Sequence, residues 1–274
     1  MFKDIVQSLT ARYGAGEARA LAFIILEDGF GISRLDIYTD KVRKFSEEEE
    51  LRLSNILQRL QDGEPLQYIL GTALFCGLNF HVTPATLIPR PETEELVEWA
   101  GETQGDVLDA GTGSGCIAIS IAHRNPLAHV TAWDISPEAL KVAQQNAESN
   151  GVKVNFELHD MLKDLPEPQS LDLIVSNPPY VCEREKADME EHVLAHEPAT
   201  ALFVPDDDPL CFYRALSQMG CHALRPGGVI LMEINRAYGS ETLALFQNDH
   251  YEGAELRKDD FGNDRMVRAV RRKA

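Results

Sequence analysis

Asn177, Pro178, Pro179 and Tyr180 stand together directly after Asp172-Leu173-Ile174-Val175-Ser176, which reads as a buried strand. Consecutive prolines hold two φ angles at about −65° and donate no N–H. The first of them also biases Asn177 toward extended backbone. Such a loop is stiff and turns two acceptors outward, the Asn177 side-chain oxygen and the Pro178 carbonyl. Tyr180 adds a flat face. This set suits a planar –NH2 nitrogen, whose two hydrogens need two acceptors. Taken alone, the four residues also describe a rigid turn with a tyrosine in the core.

A second chemical signal lies upstream, in Asp109-Ala110-Gly111-Thr112-Gly113-Ser114-Gly115. Glycines permit a tight turn and a close approach of ligand to backbone. The free N–H groups of a helix that follows suit a carboxylate or a phosphate. A dinucleotide fingerprint needs glycine at position 116, where this chain has Cys116. The G-x-G-x-G spacing fits S-adenosylmethionine better than a pyrophosphate. Asp134 lies 19 residues beyond Gly115 and can accept from both hydroxyls of a ribose; the plain alternative is a helix-capping aspartate. Asp160-Met161-Leu162 offers a carboxylate and an apolar wall to an adenine, or forms a surface turn.

These residues need a scaffold that ends its strands in loops on one side. From residue 105 onward, strand and helix patterns alternate. Strands are expected at Asp106 to Asp109, His129 to Trp133, Val152 to Leu158, Leu171 to Val175 and Gly228 to Met232. Two more, near Tyr251 to Leu256 and Met266 to Val270, would finish the sheet. Helices are expected from about Gly115, from Ser136-Pro137-Glu138 and over Pro209 to Leu224. The alternation implies a mostly parallel sheet covered on both faces, with ligands beyond the carboxyl ends of the strands.

The first 70 residues read as helices instead. Ser46 and Glu49 have capping-box spacing, and Leu53, Ile56, Leu57 and Leu60 follow on one apolar face. Leu21, Ile24 and Ile25 suggest another buried helix. Phe75, Leu78, Phe80 and Val82 alternate loosely around Gly77, as in a short hairpin joining two domains. The expected division is 1–72 as a helical substrate-recognition domain, 73–84 as a hairpin linker and 85–274 as the chemical domain.

The length of 274 residues allows one large or two modest domains. Net charge is −18, which repels phosphate backbones and argues against nonspecific nucleic-acid binding. Five cysteines without C-x-x-C spacing suggest neither a disulfide framework nor a zinc site. His192 and His196 lack the glutamate of H-E-x-x-H, so no metal is expected. With no signal-like N-terminus and no span-length apolar run, a cytoplasmic location without membrane contact is expected.

Read in order, these segments make the chain resemble the class I S-adenosylmethionine-dependent methyltransferases of the N-P-P-Y type. More closely, it resembles the peptide-chain-release-factor glutamine methyltransferases. Further segments carry the likeness: Glu64 to Gly71, Phe75 to Phe80, Leu87 to Glu94, Glu197-Pro198 with Ala201-Leu202, and Gly262-Asn263-Asp264-Arg265. The resemblance implies an α/β fold, a seven-stranded Rossmann-like sheet preceded by a small N-terminal helical bundle. It implies S-adenosylmethionine as cofactor, held by Gly111, Thr112, Gly113, Ser114, Gly115, Asp134, Asp160, Met161, Leu162 and Asn177. It implies catalysis by Asn177, Pro178, Pro179 and Tyr180, and an entrance shaped by Arg90, Pro91, Glu92, Thr93 and Glu94. The implied partner is a release factor, methylated at the glutamine of its Gly-Gly-Gln motif.

Two departures stand out. The family usually has Glu-Ile-Gly after the fifth strand, where this chain has Glu233-Ile234-Asn235, and often an aromatic residue where it has Leu162. Both are expected to bear on cofactor affinity and neither on the acceptor loop. Competing readings are an adenine amino methyltransferase acting on nucleic acid, a glutamine methyltransferase acting on a ribosomal protein, and a binding module with a vestigial cofactor fold.

Overall fold

The structure, a computed structural model, describes residues 1–259 and 261–273, with backbone alone at Asp188 and Glu191. Ala274, the last residue of the expected chemical domain, lies outside the described residues. The chain divides into two compact units, Met1–Thr72 with Glu190–His196, and Ala73–Met189 with the chain from Glu197 onward.

The first unit contains α1 (Phe2–Ile24), α2 (Arg34–Tyr38), α3 (Glu47–Gln61) and α4 (Leu66–Leu70). The capping box opens α3: Ser46 Oγ accepts the Glu49 N–H at 3.2 Å, and Glu49 Oε2 accepts the Ser46 N–H at 2.9 Å. Ile56 and Leu60 are buried, with Leu53 and Leu57 packed at the edge of the same cluster. The expected buried helix is the second half of α1. Gly14 breaks α1 at φ 73°, and Ala18 and Ala22 then face the core. Ile25 and Leu26 continue that face through a π-helical turn.

The second unit opens with the hairpin β1 (Thr72–Phe75) and β2 (Leu78–His81). The hairpin is not a separate join. Phe75 and Phe80 meet edge to face at 6.1 Å and are buried in this unit's core. Then follow α5 (Pro91–Ala100), β3 (Asp106–Ala110), α6 (Cys116–Arg124), β4 (His129–Asp134), α7 (Pro137–Ser149), β5 (Asn155–Leu158) and β6 (Leu171–Ser176). The rest is β7 (Val181–Cys182), α8 (Glu191–His196, in the first unit), α9 (Ala199–Leu202), β8 (Phe203–Val204), α10 (Cys211–Ala223), β9 (Leu224–Glu233), α11 (Gly239–Ala244), β10 (Tyr251–Lys258) and β11 (Asp264–Arg271).

The seven-stranded sheet runs β10-β11-β9-β6-β3-β4-β5, and β7 pairs with β8 apart from it. β3, β4, β5, β6 and β9 are parallel, and β11 is antiparallel to both neighbours. One core cluster, including Ile117, Ile121 and Val175, and a second, including Leu216, Ile230 and Met232, cover the sheet. Buried on both faces, the central strands carry short continuous apolar runs such as Leu173 to Val175.

One expected boundary moves. The third parallel strand begins at Asn155 rather than Val152, because α7 is closed by Val152 N–H donating to Ala147 O at 3.1 Å. Pairing with β4 then starts at Thr131 and Asn155. The segment Pro91 to Glu94, part of the expected entrance, forms the first turn of α5, with proline at its start.

Asn146, 1% exposed, ties the hairpin to α7 and to the glycine loop. Its Nδ2 donates to His81 O and Ser114 O, both at 2.9 Å, and its Oδ1 accepts the His81 N–H at 2.6 Å. Asn146→Ala removes all three bonds and should cost about 2–3 kcal/mol, at about 1 kcal/mol per bond. Urea unfolding would register this as a lower midpoint with an unchanged slope; an unshifted midpoint refutes the role.

Candidate active site

The strand order reverses between β3 and β6, since the chain proceeds to β4 and β5 on one side and to β9 on the other. Ligand crevices open at such points, beyond the carboxyl ends. Both chemical loops leave the sheet there. Ser176 Oγ donates to Ala110 O at 2.6 Å and clamps the end of β6 to the end of β3.

The glycine loop follows β3. Gly111 and Thr112 both donate N–H to Trp133 O at 2.9 Å, so the loop folds back over β4. Gly111 has φ 82°, and a Cβ there would stand 2.8 Å from Met161 Cε. Gly115 has φ 83° at the start of α6, where a Cβ would stand 2.8 Å from Ile119 Cδ1 and 3.3 Å from the Ala143 Cα. A Cβ at Gly113 would instead stand in open space. Asp109 lies wholly buried beneath the loop. Its Oδ2 accepts from Thr112 Oγ1 at 2.6 Å and from the Ala118 N–H at 3.2 Å. Its Oδ1 has no partner among the described residues, and burial pushes its carboxyl up to about 7.

Asp134 ends β4. Its Oδ2 accepts the Gly113 N–H at 2.8 Å and its Oδ1 the Ser136 N–H at 2.9 Å. Burial raises its pKa, and the backbone N–H bonds oppose that rise. Each oxygen keeps a further lone pair, so the carboxylate can still accept two hydroxyls. Asp160 is held by Lys163 at 2.6 Å, which lowers its pKa. Met161 and the half-exposed Leu162 stand beside it.

The acceptor loop follows β6. Asn177 Nδ2 donates to Thr93 Oγ1 at 3.2 Å, and Thr93 Oγ1 donates to Glu233 Oε2 at 2.7 Å. Tyr180, expected to offer a flat face, turns inward. Its ring packs on the second core cluster and its hydroxyl donates to Glu233 Oε1 at 3.0 Å. Burial and Glu233 raise the Tyr180 pKa well above the usual phenol value, so the group stays protonated. Asn235, expected to spare this loop, holds its far end. Asn235 Nδ2 donates to Tyr180 O at 2.9 Å and to Glu185 Oε2 at 3.0 Å.

A single cavity of about 360 Å³ gathers most of the expected residues. Gly111, Thr112, Gly113, Ser114, Asp134, Asp160, Met161, Leu162, Asn177, Pro179, Arg90 and Thr93 line it. Gly115, Pro178, Tyr180, Pro91, Glu92 and Glu94 are not in the lining. Glu94 serves the hairpin instead, its Oε1 accepting the Cys76 N–H at 2.8 Å. Arg90 pairs with the buried Glu197 at 2.6 Å. The volume is in the range of small-molecule sites. A loop that leaves open space at Gly113, a carboxylate with spare lone pairs and an apolar edge at Leu162 together fit a nucleoside bearing an amino-acid tail.

Trp133, His159 and Phe212 also line the cavity without having been singled out in the sequence. Trp133 and His159 stack at 4.2 Å between ring centroids. Their signal was position alone, at or just past strand ends. Glu233 was noticed only as part of a motif. Its last-residue place on β9 (a buried central strand) was the clue to a structural carboxylate.

This fold and cavity define a class I methyltransferase. The crystal structure of a methyltransferase from Pyrococcus furiosus shares the fold at a TM-score of 0.54 and 19% identity, over 81% of this chain and 100% of that one. Residues 92–203 match the methyltransferase small domain and residues 2–71 the PrmC N-terminal domain. The release factor glutamine methyltransferase of Bacteroides thetaiotaomicron is 48% identical, over 97% of this chain and 98% of its own length. That of Flavobacterium psychrophilum is 41% identical, over 97% and 96%. The chain belongs to the release factor glutamine methyltransferase family.

The buried Asp109 carries a pH prediction for the ligand-free protein. Its folded pKa of about 7 lies above the ordinary 3.8. Between those values the folded chain keeps a proton that the unfolded chain releases, so stability falls as pH rises through that window. Relative to Asp109→Asn, the wild type should lose as much as about 4 kcal/mol between about pH 4 and pH 8. Thermal unfolding of both proteins across that range checks it; parallel curves would sink the assignment.

Proposed function

We propose that this chain transfers a methyl group from S-adenosylmethionine to the side-chain amide nitrogen of the glutamine in the Gly-Gly-Gln motif of peptide-chain release factors. The observation that carries the reading is the shared cavity: the glycine loop with Asp134 and the Asn177 loop border one space at the point where the strand order reverses.

Asp134 would accept from the ribose hydroxyls. The loop from Gly111 to Gly115 and the start of α6 would face the amino-acid carboxylate. Asp160, Met161 and Leu162 would flank the adenine. When bound, the cofactor supplies an electrophilic methyl group on a sulfonium. What remains for the chain is to make an amide nitrogen nucleophilic, although its lone pair is delocalised into the carbonyl. Asn177 Oδ1 and the Pro178 carbonyl would each accept one N–H of the substrate amide. Held from both sides, the nitrogen gives up planarity and turns its lone pair toward the methyl. This is stabilisation by dipoles fixed before the reaction. No side chain need act as general base, because a methylated cationic amide is a strong acid. Tyr180 would contribute by anchoring the loop through Glu233. The helical unit is assigned recognition of the release factor outside its Gly-Gly-Gln tip.

Labelled S-adenosylmethionine should mark the full-length release factor and leave its Gly-Gly-Gln glutamine-to-alanine variant unmarked. Label on a ribosomal protein or on DNA instead would replace the substrate while keeping the cofactor. Asn177→Ala should lower kcat by about 10²-fold, the scale of one lost transition-state contact, with cofactor Kd little changed. Asp134→Ala should weaken cofactor binding by about 1–3 kcal/mol. Calorimetric titration measures this directly, and an unaltered Kd would remove the ribose role.

A further inference from the structure

The two prolines fix the backbone of the acceptor loop but leave open which way round the Asn177 amide lies. Rotating it by a half turn exchanges Oδ1 and Nδ2 with almost no change in shape. The exchange reverses function, because an outward –NH2 meets the substrate –NH2 donor to donor. The neighbours of Asn177 decide the matter by hydrogen count. Glu233 is 1% exposed at the end of β9. When ionised it can only accept, and it takes the Tyr180 and Thr93 hydroxyl protons at 3.0 and 2.7 Å. Thr93 has one proton and has given it to Glu233. Its oxygen then presents only lone pairs to Asn177, at 3.2 Å, and must receive an N–H. That requirement fixes Nδ2 inward and Oδ1 outward. Among the described residues Asn177 Oδ1 has no protein donor, so it is left for a ligand. Burial raises the Glu233 pKa and Glu92 adds to the rise, while the Thr93 and Tyr180 hydroxyls and Arg265, itself held by Asp259 at 3.0 Å, oppose it and favour the ionised form.

We propose that Thr93 and Glu233 are positioning residues that set the orientation of the Asn177 amide through this one-way chain of hydrogen bonds. The proposal rests on the glutamine methyltransferase reading for its kinetic consequence, and on the hydrogen-bond geometry around an ionised Glu233 for the orientation itself. Glu233 thereby makes the acceptor loop selective for groups that donate, –NH2 above all, and hostile to a bare acceptor.

Two near-isosteric variants test it. Thr93→Val keeps the volume and deletes the relay. Glu233→Gln lets the new amide donate to Thr93, which frees the Thr93 proton to turn toward Asn177 and admits the flipped orientation. Each should lower kcat on release factor by about 10²-fold while cofactor Kd stays within about threefold, since neither removes a bond to the cofactor. The double variant should be little worse than either single one, because both break the same chain. Thr93→Ser restores a hydroxyl and should recover most of the kcat lost in Thr93→Val. A role in mere packing would not give that rescue, nor the split between kcat and Kd. The substrate-free arm is the Asn177 side-chain –NH2 signal in a ¹H–¹⁵N spectrum, assigned by its absence in Asn177→Asp. It should show slowed exchange in the wild type and lose that protection in Thr93→Val and Glu233→Gln. Single variants with wild-type kcat overturn the proposal, as do unchanged –NH2 exchange or equal losses in Thr93→Ser and Thr93→Val. A wild type that leaves release factor unmethylated but keeps the protected –NH2 sinks the substrate reading and leaves the orientation standing.

Discussion

The parallel pairing of β3 with β6 is the constraint on which the site depends. It sets Val107 against Leu173 and Asp109 against Val175, so both strands end at the same height. The Ser176 hydroxyl then closes the gap to Ala110 O at 2.6 Å, with both groups buried. A hydroxyl buried without this carbonyl would cost about 1–3 kcal/mol, so the bond also fixes register. A one-residue slip would turn every inward side chain of β6 to the other face. It would also part the two loops. Glycine loop and acceptor loop thus leave the same end of a single ladder, placed side by side by the strand order and closed by the Ser176 bond.

Around that ladder the chain uses buried carboxylates as organisers. Asp109 holds Thr112 and the first turn of α6 under the glycine loop. Glu233 gathers Thr93 from α5 and Tyr180 from the acceptor loop. Glu197 collects Arg90 and the Ile88 N–H from the segment before α5. The desolvation of these carboxylates is offset by donors, local ones for Asp109 and ones from distant parts of the sequence for Glu233 and Glu197, and a buried charge that loses its partners is strongly destabilising. Such groups trade stability for definition. In each case the donors include residues at the cavity wall (Thr112, Thr93 and Arg90), so the definition lands on the cavity.

What could be read in the sequence was whatever repeats at short range. The capping box at Ser46, the apolar stripe from Leu53 to Leu60 and the central strands declare themselves through spacing of neighbours. The ends of the loops also declare themselves, because glycine and proline restrict backbone locally. The Tyr180 contact, the Asn235 contact and the Glu233 network span from 53 to 140 residues of sequence. No local pattern encodes such pairings. Tyr180 reads as a flat face or as a tyrosine in the core, and its place was decided by the second core cluster and by Glu233 at the end of β9, far along the chain. Asn235 read as a cofactor-side departure from glycine, and its side chain instead reaches the Tyr180 carbonyl.

That reach explains how a rigid-looking motif becomes a rigid site. Prolines remove backbone freedom from Pro178 and Pro179, but they say nothing about where the loop leaves the sheet, where it rejoins the fold, or which atom Asn177 presents. Three separate bonds supply those answers. Ser176 fixes the departure, Asn235 fixes the Tyr180 end, and Thr93 engages the amide between them. A hydrogen bond contributes only about 1 kcal/mol to net stability, too little to enforce a geometry if each were alone. Their effect on the acceptor comes from sharing one short segment, in which moving any atom strains all three. Catalysis by fixed dipoles requires that the reorganisation be complete before the substrate arrives. Under the proposed mechanism it would be completed by side chains that do not line the cavity: Glu233, which reaches Asn177 through Thr93, and Asn235, which holds the Tyr180 end of the loop.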